Sequence, residues 1–264
     1  MRQFIVEKGK IKNGLLVLDG KDFRYFRQVL RVRTGDMITL RLPEGNISNA
    51  TVAQIDEGAR KITLQLCAST DDNVEKEIAG VVKPKVEYWL FQFLPRPQKF
   101  ELIVRQATEC GVSVIVPILG EYSEKSSAQS IMGSKRERLE RIVKEARQQS
   151  GSPIETKVLE PVTLEKALEL WQGDVAFVLS ERDDCDGNLR STVEKAASHN
   201  QLKSAAIAVG SEGGISPAEV QLLSEKGLFT PIHFAVNILR CETAALYGIA
   251  AVQSVINQVG KNGN

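Results

Sequence analysis

Apolar positions along this chain follow two rhythms, and the switch between them divides it. Over residues 1–70 they come in short runs at Gly14–Leu18, Met37–Leu42 and Lys61–Cys67. Turn formers separate the runs at Leu18-Asp19-Gly20, Thr34-Gly35-Asp36 and Pro43-Glu44-Gly45-Asn46. Runs this short, bounded by Gly, Asp and Pro, predict strands of a small β-barrel. One stretch departs from that pattern. From Asp22 to Val32, Phe23, Phe26 and Leu30 recur at helical spacing, which predicts a short helix with one apolar face. Arg24, Arg27 and Arg31 keep the same spacing and form a basic stripe beside it.

The polar, acidic stretch Ala68–Ile78 reads as a linker. Beyond it, strands and helices alternate. Strands are predicted at Val86–Leu94, Val112–Leu119, Val175–Ser180, Ala205–Val209 and Pro231–Val236. Helices are predicted from Pro97 to Gly111, Lys135 to Gln149, Leu189 to Ala197, Pro217 to Lys226 and Glu242 to Gln258, with a polar loop, EYSEKSSAQS, after the second strand. Alternation of this kind predicts an α/β domain on a mostly parallel sheet. The expected boundary gives a barrel over residues 1–72 and an α/β domain over 73–264.

Composition narrows the class without naming a function. Hydrophobic residues make up 42% and charged residues 25%, the mix of a folded globular chain, so disordered and fibrous classes are out. No apolar run approaches the roughly 20 residues of a membrane span. The first residues, MRQFIVEKGKIKNG, carry no apolar export signal, and Cys67, Cys110, Cys185 and Cys241 form no CxxC pair. With only His199 and His233 beside them, no metal site is expected, and the chain reads as cytoplasmic. Net charge is +1, but residues 1–70 hold 12 Lys and Arg against 7 Asp and Glu, whereas the remainder hold 22 against 26. A basic first module suits a polyanion, and arginine forks match phosphate oxygens; a solvated amphipathic helix is the plainer reading of the stripe.

Two segments stand apart as candidate chemistry. In Ala208-Val-Gly-Ser-Glu-Gly-Gly-Ile-Ser-Pro-Ala-Glu219 a buried-type strand ends in the turn Gly210-Ser211-Glu212-Gly213-Gly214 and opens a helix. Ser216, Pro217 and Glu219 supply a cap, a first-position proline and a capping box. Glycines at that density let a ligand approach the backbone closely, but they form neither GxGxxG nor a P-loop. In the second segment, Phe234 to Ala245, a strand gives way to Ile238, Leu239 and Arg240 before the last helix. Ligands of open α/β sheets sit at the carboxyl ends of strands, where both segments fall. Arg240 alone also admits a simpler reading, an ion pair with Glu242 or Glu212.

These segments resemble a known family. Gly210-Ser-Glu-Gly-Gly is similar to its GPEGG turn, Ile238-Leu-Arg-Cys-Glu-Thr-Ala244 to its ILRxETA segment, and Arg105-Gln-Ala-Thr-Glu-Cys-Gly-Val112 to its QKATELGV helix end. The family is that of ribosomal RNA small-subunit methyltransferase E, a branch of the SPOUT methyltransferases, and the likeness covers nearly the full chain. It implies a PUA-like, RNA-binding β-barrel ahead of a domain whose chain threads through itself as a trefoil knot, an exception to the rule against knotted chains. It implies S-adenosyl-L-methionine bound in the knot by loops that here contain Leu179 and Ser180; Gly210, Ser211, Glu212 and Gly214; and Val236, Ile238, Leu239 and Thr243. It further implies a homodimer that methylates uridine N3 in 16S ribosomal RNA or the small subunit.

The chain departs from the family at Ser211 for proline, Asn237 for arginine, Arg105-Gln106 for Gln-Lys, and Lys125 for arginine. Gln148-Gln149-Ser150 fits the family's EQS, without the arginine that follows it there. For such a reaction Arg240 is the candidate to stabilise the deprotonated base, and Glu212 the candidate proton acceptor. Arg24, Arg27, Arg31, Lys99 and Lys125 are the candidate RNA contacts. The alternative of another class is a non-catalytic, RNA-binding ribosome assembly factor on the same fold.

Overall fold

The computed structural model describes residues 3–43, 46–67, 84–123, 125–129, 131, 136–181, 187–199 and 201–262. The predicted linker and the 72/73 boundary lie outside them. The chain divides into two compact units, Met1–Val82 with Gln148–Pro153, and Lys83–Arg147 with Ile154–Asn264.

The first unit holds a six-stranded mixed sheet in the order β1-β4-β5-β6-β3-β2: β1 Phe4–Ile5, β2 Ile11–Lys12, β3 Leu15–Leu18, β4 Met37–Arg41, β5 Ile47–Asp56 and β6 Lys61–Leu66. Only β1 and β4 pair in parallel. Alternate residues of these strands (Leu16, Leu18, Leu40, Ala50, Val52, Ile62 and Leu64) are fully buried around Phe26, as period-two patterning demands. The predicted helix is a hybrid: α1, Gly20–Arg24, runs straight into a π-helical segment, Tyr25–Leu30, ended by Arg31 at φ +56°. In a π-helix each backbone bond spans one residue more than in an α-helix and the turn is wider, so equal spacing no longer means one face. Phe26 stays inside, edge-on to Phe4 with ring centres 5.0 Å apart. Residue 31 falls beyond the helix end.

The second unit carries a sheet in which every pairing is parallel, ordered β10-β8-β7-β12-β11-β13 with β9 beside β8. Its strands are β7 Glu87–Phe93, β8 Val114–Leu119, β9 Lys157–Val158, β10 Val162–Thr163, β11 Val175–Ser180, β12 Ser204–Val209 and β13 Phe229–His233. The helices are α2 Pro97–Glu109, α3 Lys125–Gln129, α4 Arg136–Ser150, α5 Leu164–Leu170, α6 Leu189–His199, α7 Pro217–Lys226 and α8 Cys241–Asn262.

Both faces of the sheet are covered. Phe100, Ile103, Val104, Leu139, Ile142, Val193, Ala245, Ile249 and Val252 close one side; Leu164, Ala167, Leu223 and Phe229 close the other. That is why β7, β11 and β12 read as continuous apolar runs rather than alternating ones. Helix α7 begins with the predicted capping box: Ser216 Oγ accepts from the Glu219 N–H, and Glu219 Oε2 accepts from the Ser216 N–H. One strand shifts from its expected position. Residues 229–233 pair with β11, whereas Phe234 to Val236 leave the sheet, so strand β13 begins and ends earlier than the apolar run suggests. Among the described residues, no helix is long and apolar enough to cross a membrane.

Candidate active site at the carboxyl edge of the parallel sheet

Parallel strands bring all their carboxyl ends to one edge, so the loops after β7, β11, β12 and β13 meet there. His233 Nδ1 lies 3.2 Å from the Ser180 carbonyl and closes the β11 end onto the β13 end. Leu179 and Ser180 are half-buried at that seam.

The turn after β12 is held from several sides. Residues Ser211 and Gly214 bridge each other across it. The Ser211 hydroxyl donates to the Tyr122 carbonyl at 3.0 Å. Beneath the turn, Gln92 at the end of β7 is fully buried, and its amide nitrogen donates to the carbonyls of Phe93 (2.9 Å), Val209 (3.3 Å) and Gly210 (3.0 Å). Its own oxygen is buried without a partner. A Cβ on Gly210 would fall 2.7–2.9 Å from the backbone of Gly214, so only glycine closes this turn. Gly214, at φ +79°, faces the other way: the nearest atom to an added Cβ is Glu181 Oε1, at 3.9 Å.

The loop from Phe234 to Arg240 is built differently. A tight bond from the Val236 N–H to the Phe234 carbonyl, 2.6 Å, turns it out of the sheet. Beyond that point Val236 and Ile238 are exposed, Ile238 by 83%, and Leu239 is half-buried. Arg240 stands just before α8, and its carbonyl accepts the Ala244 N–H at 2.7 Å. Its guanidinium is exposed, with no hydrogen bond or ion pair among the described residues. A cation at a helix N-terminus opposes the helix dipole, at a cost of about 0.3–1 kcal/mol. Among the described residues, then, the Arg240 guanidinium makes no contact that offsets this cost.

The carboxylates that the sequence offered to Arg240 are taken by Lys99. Its ammonium lies 3.5 Å from Glu212 Oε1 and 3.4 Å from Glu242 Oε2. Glu212 Oε1 also accepts the Arg96 N–H at 3.3 Å, and the Cys241 thiol donates to Glu242 Oε2 at 3.3 Å. Burial first, then the two carboxylates, push the Cys241 thiol up to about 12, so it stays a donor. Lys99 is therefore ion-paired within this edge.

Other expected positions sort as follows. Thr243 is exposed in the first turn of α8. Lys125 opens α3. In the N-terminal unit Arg27 is committed internally: its Nη1 donates to the Val32 carbonyl at 2.7 Å, and its Nε to Glu57 Oε1 at 2.7 Å. Arg24 reaches back to the Gly20 carbonyl at 3.5 Å, and Arg31 is exposed. The stripe of three is thus broken by the π-helical segment, which turns Arg27 toward Glu57. Sequence reasoning passed over Gln92, whose one signal is a lone amide in the apolar run VEYWLFQFL.

Comparison with known proteins identifies the family. A family model for an RNA methyltransferase domain matches residues 82–253. Ribosomal RNA small subunit methyltransferase E of Aquifex aeolicus is 30% identical over 89% of this chain and 92% of its own length. The Bacillus subtilis protein of the same name is 26% identical, covering 89% of this chain and 88% of its own. A crystal structure of the Neisseria gonorrhoeae enzyme of that name, bound to S-adenosyl methionine, superposes with a TM-score of 0.76 at 24% identity, covering 97% of this chain and 98% of the other. The chain belongs to the family of RNA methyltransferases that includes ribosomal RNA small subunit methyltransferase E.

Proposed function

We propose that this protein methylates N3 of a uridine in 16S ribosomal RNA, using S-adenosyl-L-methionine bound at the carboxyl edge of the parallel sheet. One observation carries the reading: a tight glycine turn, an exposed apolar loop and an unpaired arginine stand at that same edge. The residues suit an adenosyl sulfonium held mainly by backbone. Gly214 presents an open face, Gln92 keeps a buried, unpartnered oxygen beside Gly210, and Val236, Ile238 and Leu239 offer apolar surface. When bound, the sulfonium supplies an electrophilic methyl group with a neutral thioether as leaving group.

The chain's own contribution is positioning and charge. Uridine N3 must lose its proton before it attacks, and the resulting negative charge spreads onto the neighbouring carbonyl oxygens. Arg240, exposed and without a partner among the described residues, stabilises that charge, a contribution on the order of 2–4 kcal/mol. Glu212, engaged through Oε1 by Arg96 and Lys99, holds the turn instead of accepting the proton, which passes to water at the exposed side of the loop.

In this reading the basic N-terminal unit is a PUA-like barrel that grips the RNA backbone through Arg24 and Arg31, with Lys125 as a further contact. The C-terminal chain is knotted. Support for the knot comes from β13, which crosses to the far side of β11, and from α8, whose Gln253 side chain returns to the Cys110 carbonyl at 2.8 Å. The working form is a cytoplasmic homodimer acting on the small subunit or its RNA.

The test is mass-spectrometric nucleoside mapping of 16S RNA from cells with and without this gene. Loss of one N3-methyluridine, restored by the gene, is the expected outcome. An unchanged map overturns the proposal.

A further inference from the structure

We infer that Lys99 is a positioning residue for methyl transfer: its ammonium latches the glycine turn to the start of the last helix, setting the gap between them. The inference rests on the proposed function and concerns the same site.

Glu212 lies in the glycine turn and Glu242 in the first turn of α8, and each lies within 3.5 Å of the Lys99 ammonium. Among the described residues no other ion pair joins the turn to α8. The three side chains are partly shielded, with 30%, 32% and 15% of Lys99, Glu212 and Glu242 exposed. Lys99 itself is anchored in the first turn of α2, whose amino end also touches the glycine turn through the Arg96 N–H. The latch is therefore a three-point joint among α2, the turn and α8.

Two consequences follow from removing the ammonium. The carboxylates, no more than about 7 Å apart by those two distances, repel each other and spread the loops. Arg240, the neighbouring cation without a partner, is drawn onto the surplus carboxylates and withdrawn from the base. Lys99 thus keeps Arg240 available by occupying the acids that would otherwise capture it.

The sequence alone suggested a different role for Lys99, a phosphate contact, and the two roles separate in experiment. Lys99→Met and Lys99→Arg are compared with the unaltered protein in four measurements. These are S-adenosylmethionine affinity by calorimetry, kcat and KM for RNA, the salt slope of RNA binding, and amide hydrogen exchange in the cofactor-free protein. The latch predicts that Lys99→Met weakens cofactor binding about tenfold and lowers kcat further, while the salt slope of RNA binding stays unchanged. Exchange at residues 211–214 and 236–240 speeds up without any cofactor present. Lys99→Arg restores most of kcat, and Lys99→Met combined with Glu212→Gln recovers part of it by removing one surplus charge.

A phosphate contact predicts the reverse: unchanged cofactor affinity and exchange, a higher KM for RNA, and a salt slope smaller by about one. That result, or a Lys99→Met protein indistinguishable from the parent, overturns the latch. Failure of the unaltered protein to bind the cofactor or methylate RNA overturns the proposed function instead.

Discussion

The two loops that face each other at the carboxyl edge are made in opposite ways. The turn at 210–214 is pinned from beneath by Gln92, from the side by Tyr122 and Lys99, and across itself by Ser211 and Gly214. The segment from 235 to 240 projects into solvent, and its one strong side-chain charge, Arg240, has no described partner. A rigid half suits a cofactor gripped by backbone, whose fit depends on hydrogen-bond geometry. An exposed half suits a substrate that arrives as a base turned out of folded RNA and must be met by surface groups. On the proposed reading the turn supplies backbone contacts to the cofactor, the exposed loop adds apolar contacts to it and carries, in Arg240, the charge that serves turnover, and substitutions can separate these roles.

The largest effect is expected on the exposed side. Arg240→Ala should lower kcat about 10²–10³-fold while leaving calorimetric cofactor affinity unchanged, the signature of an interaction made only in the transition state. On the rigid side the order reverses. Gly210→Ala drives a Cβ into the Gly214 backbone; the turn must open, and cofactor affinity should drop about a hundredfold, or some 3 kcal/mol.

Gln92→Leu deprives the carbonyls of Val209 and Gly210 of a buried donor and should cost about 1–3 kcal/mol of folding stability by chemical denaturation. Ile238→Ser, at a position 83% exposed, should change stability by less than about 0.5 kcal/mol yet weaken cofactor or substrate binding. Equal losses of stability from Gln92→Leu and Ile238→Ser would erase the contrast between the loops.

The smallest effect is a pH dependence. Burial raises the Glu242 carboxyl, but its own helix N–H, the Cys241 thiol and Lys99 outweigh that and hold it below the ordinary 4.5. A depressed carboxylate contributes stability that is complete above its unfolded value and is lost as pH falls through the folded one. Folding stability should accordingly keep the Glu242 contribution from neutrality down to about pH 5 and lose it only in more acid solution; Glu242→Gln should make the acid decline, followed by chemical denaturation, smaller.

Much of this edge was legible in the amino-acid order, and the gaps have physical causes. The apolar runs of β7, β8, β11 and β12 and the capping box of α7 were read within a residue or two, because burial on both faces and end-capping leave local signatures. The glycine turn and Arg240 were expected after strands, and they follow β12 and β13. Strand β5, Ile47–Asp56, was not predicted: it is interrupted by Asn, Gln and Ala, and its register breaks between Val52 and Gln54. Helix α5 has only seven residues, too few to display a period.

The even spacing of the arginines presumes an α-helix, whereas Tyr25–Leu30 is π-helical and Arg27 meets Glu57 and the Val32 carbonyl. The ion pairs of Lys99 could not be read from the sequence for a different reason. Its partners lie 113 and 143 positions away in the chain, and only the fold brings them together.

The most direct test of the central claim is where the methyl donor lands. Hydrogen exchange read by mass spectrometry, with and without S-adenosylmethionine, should show protection concentrated at residues 179–181, 210–214 and 236–243. Protection confined to other parts of the chain, or absent at saturating cofactor, would contradict the account.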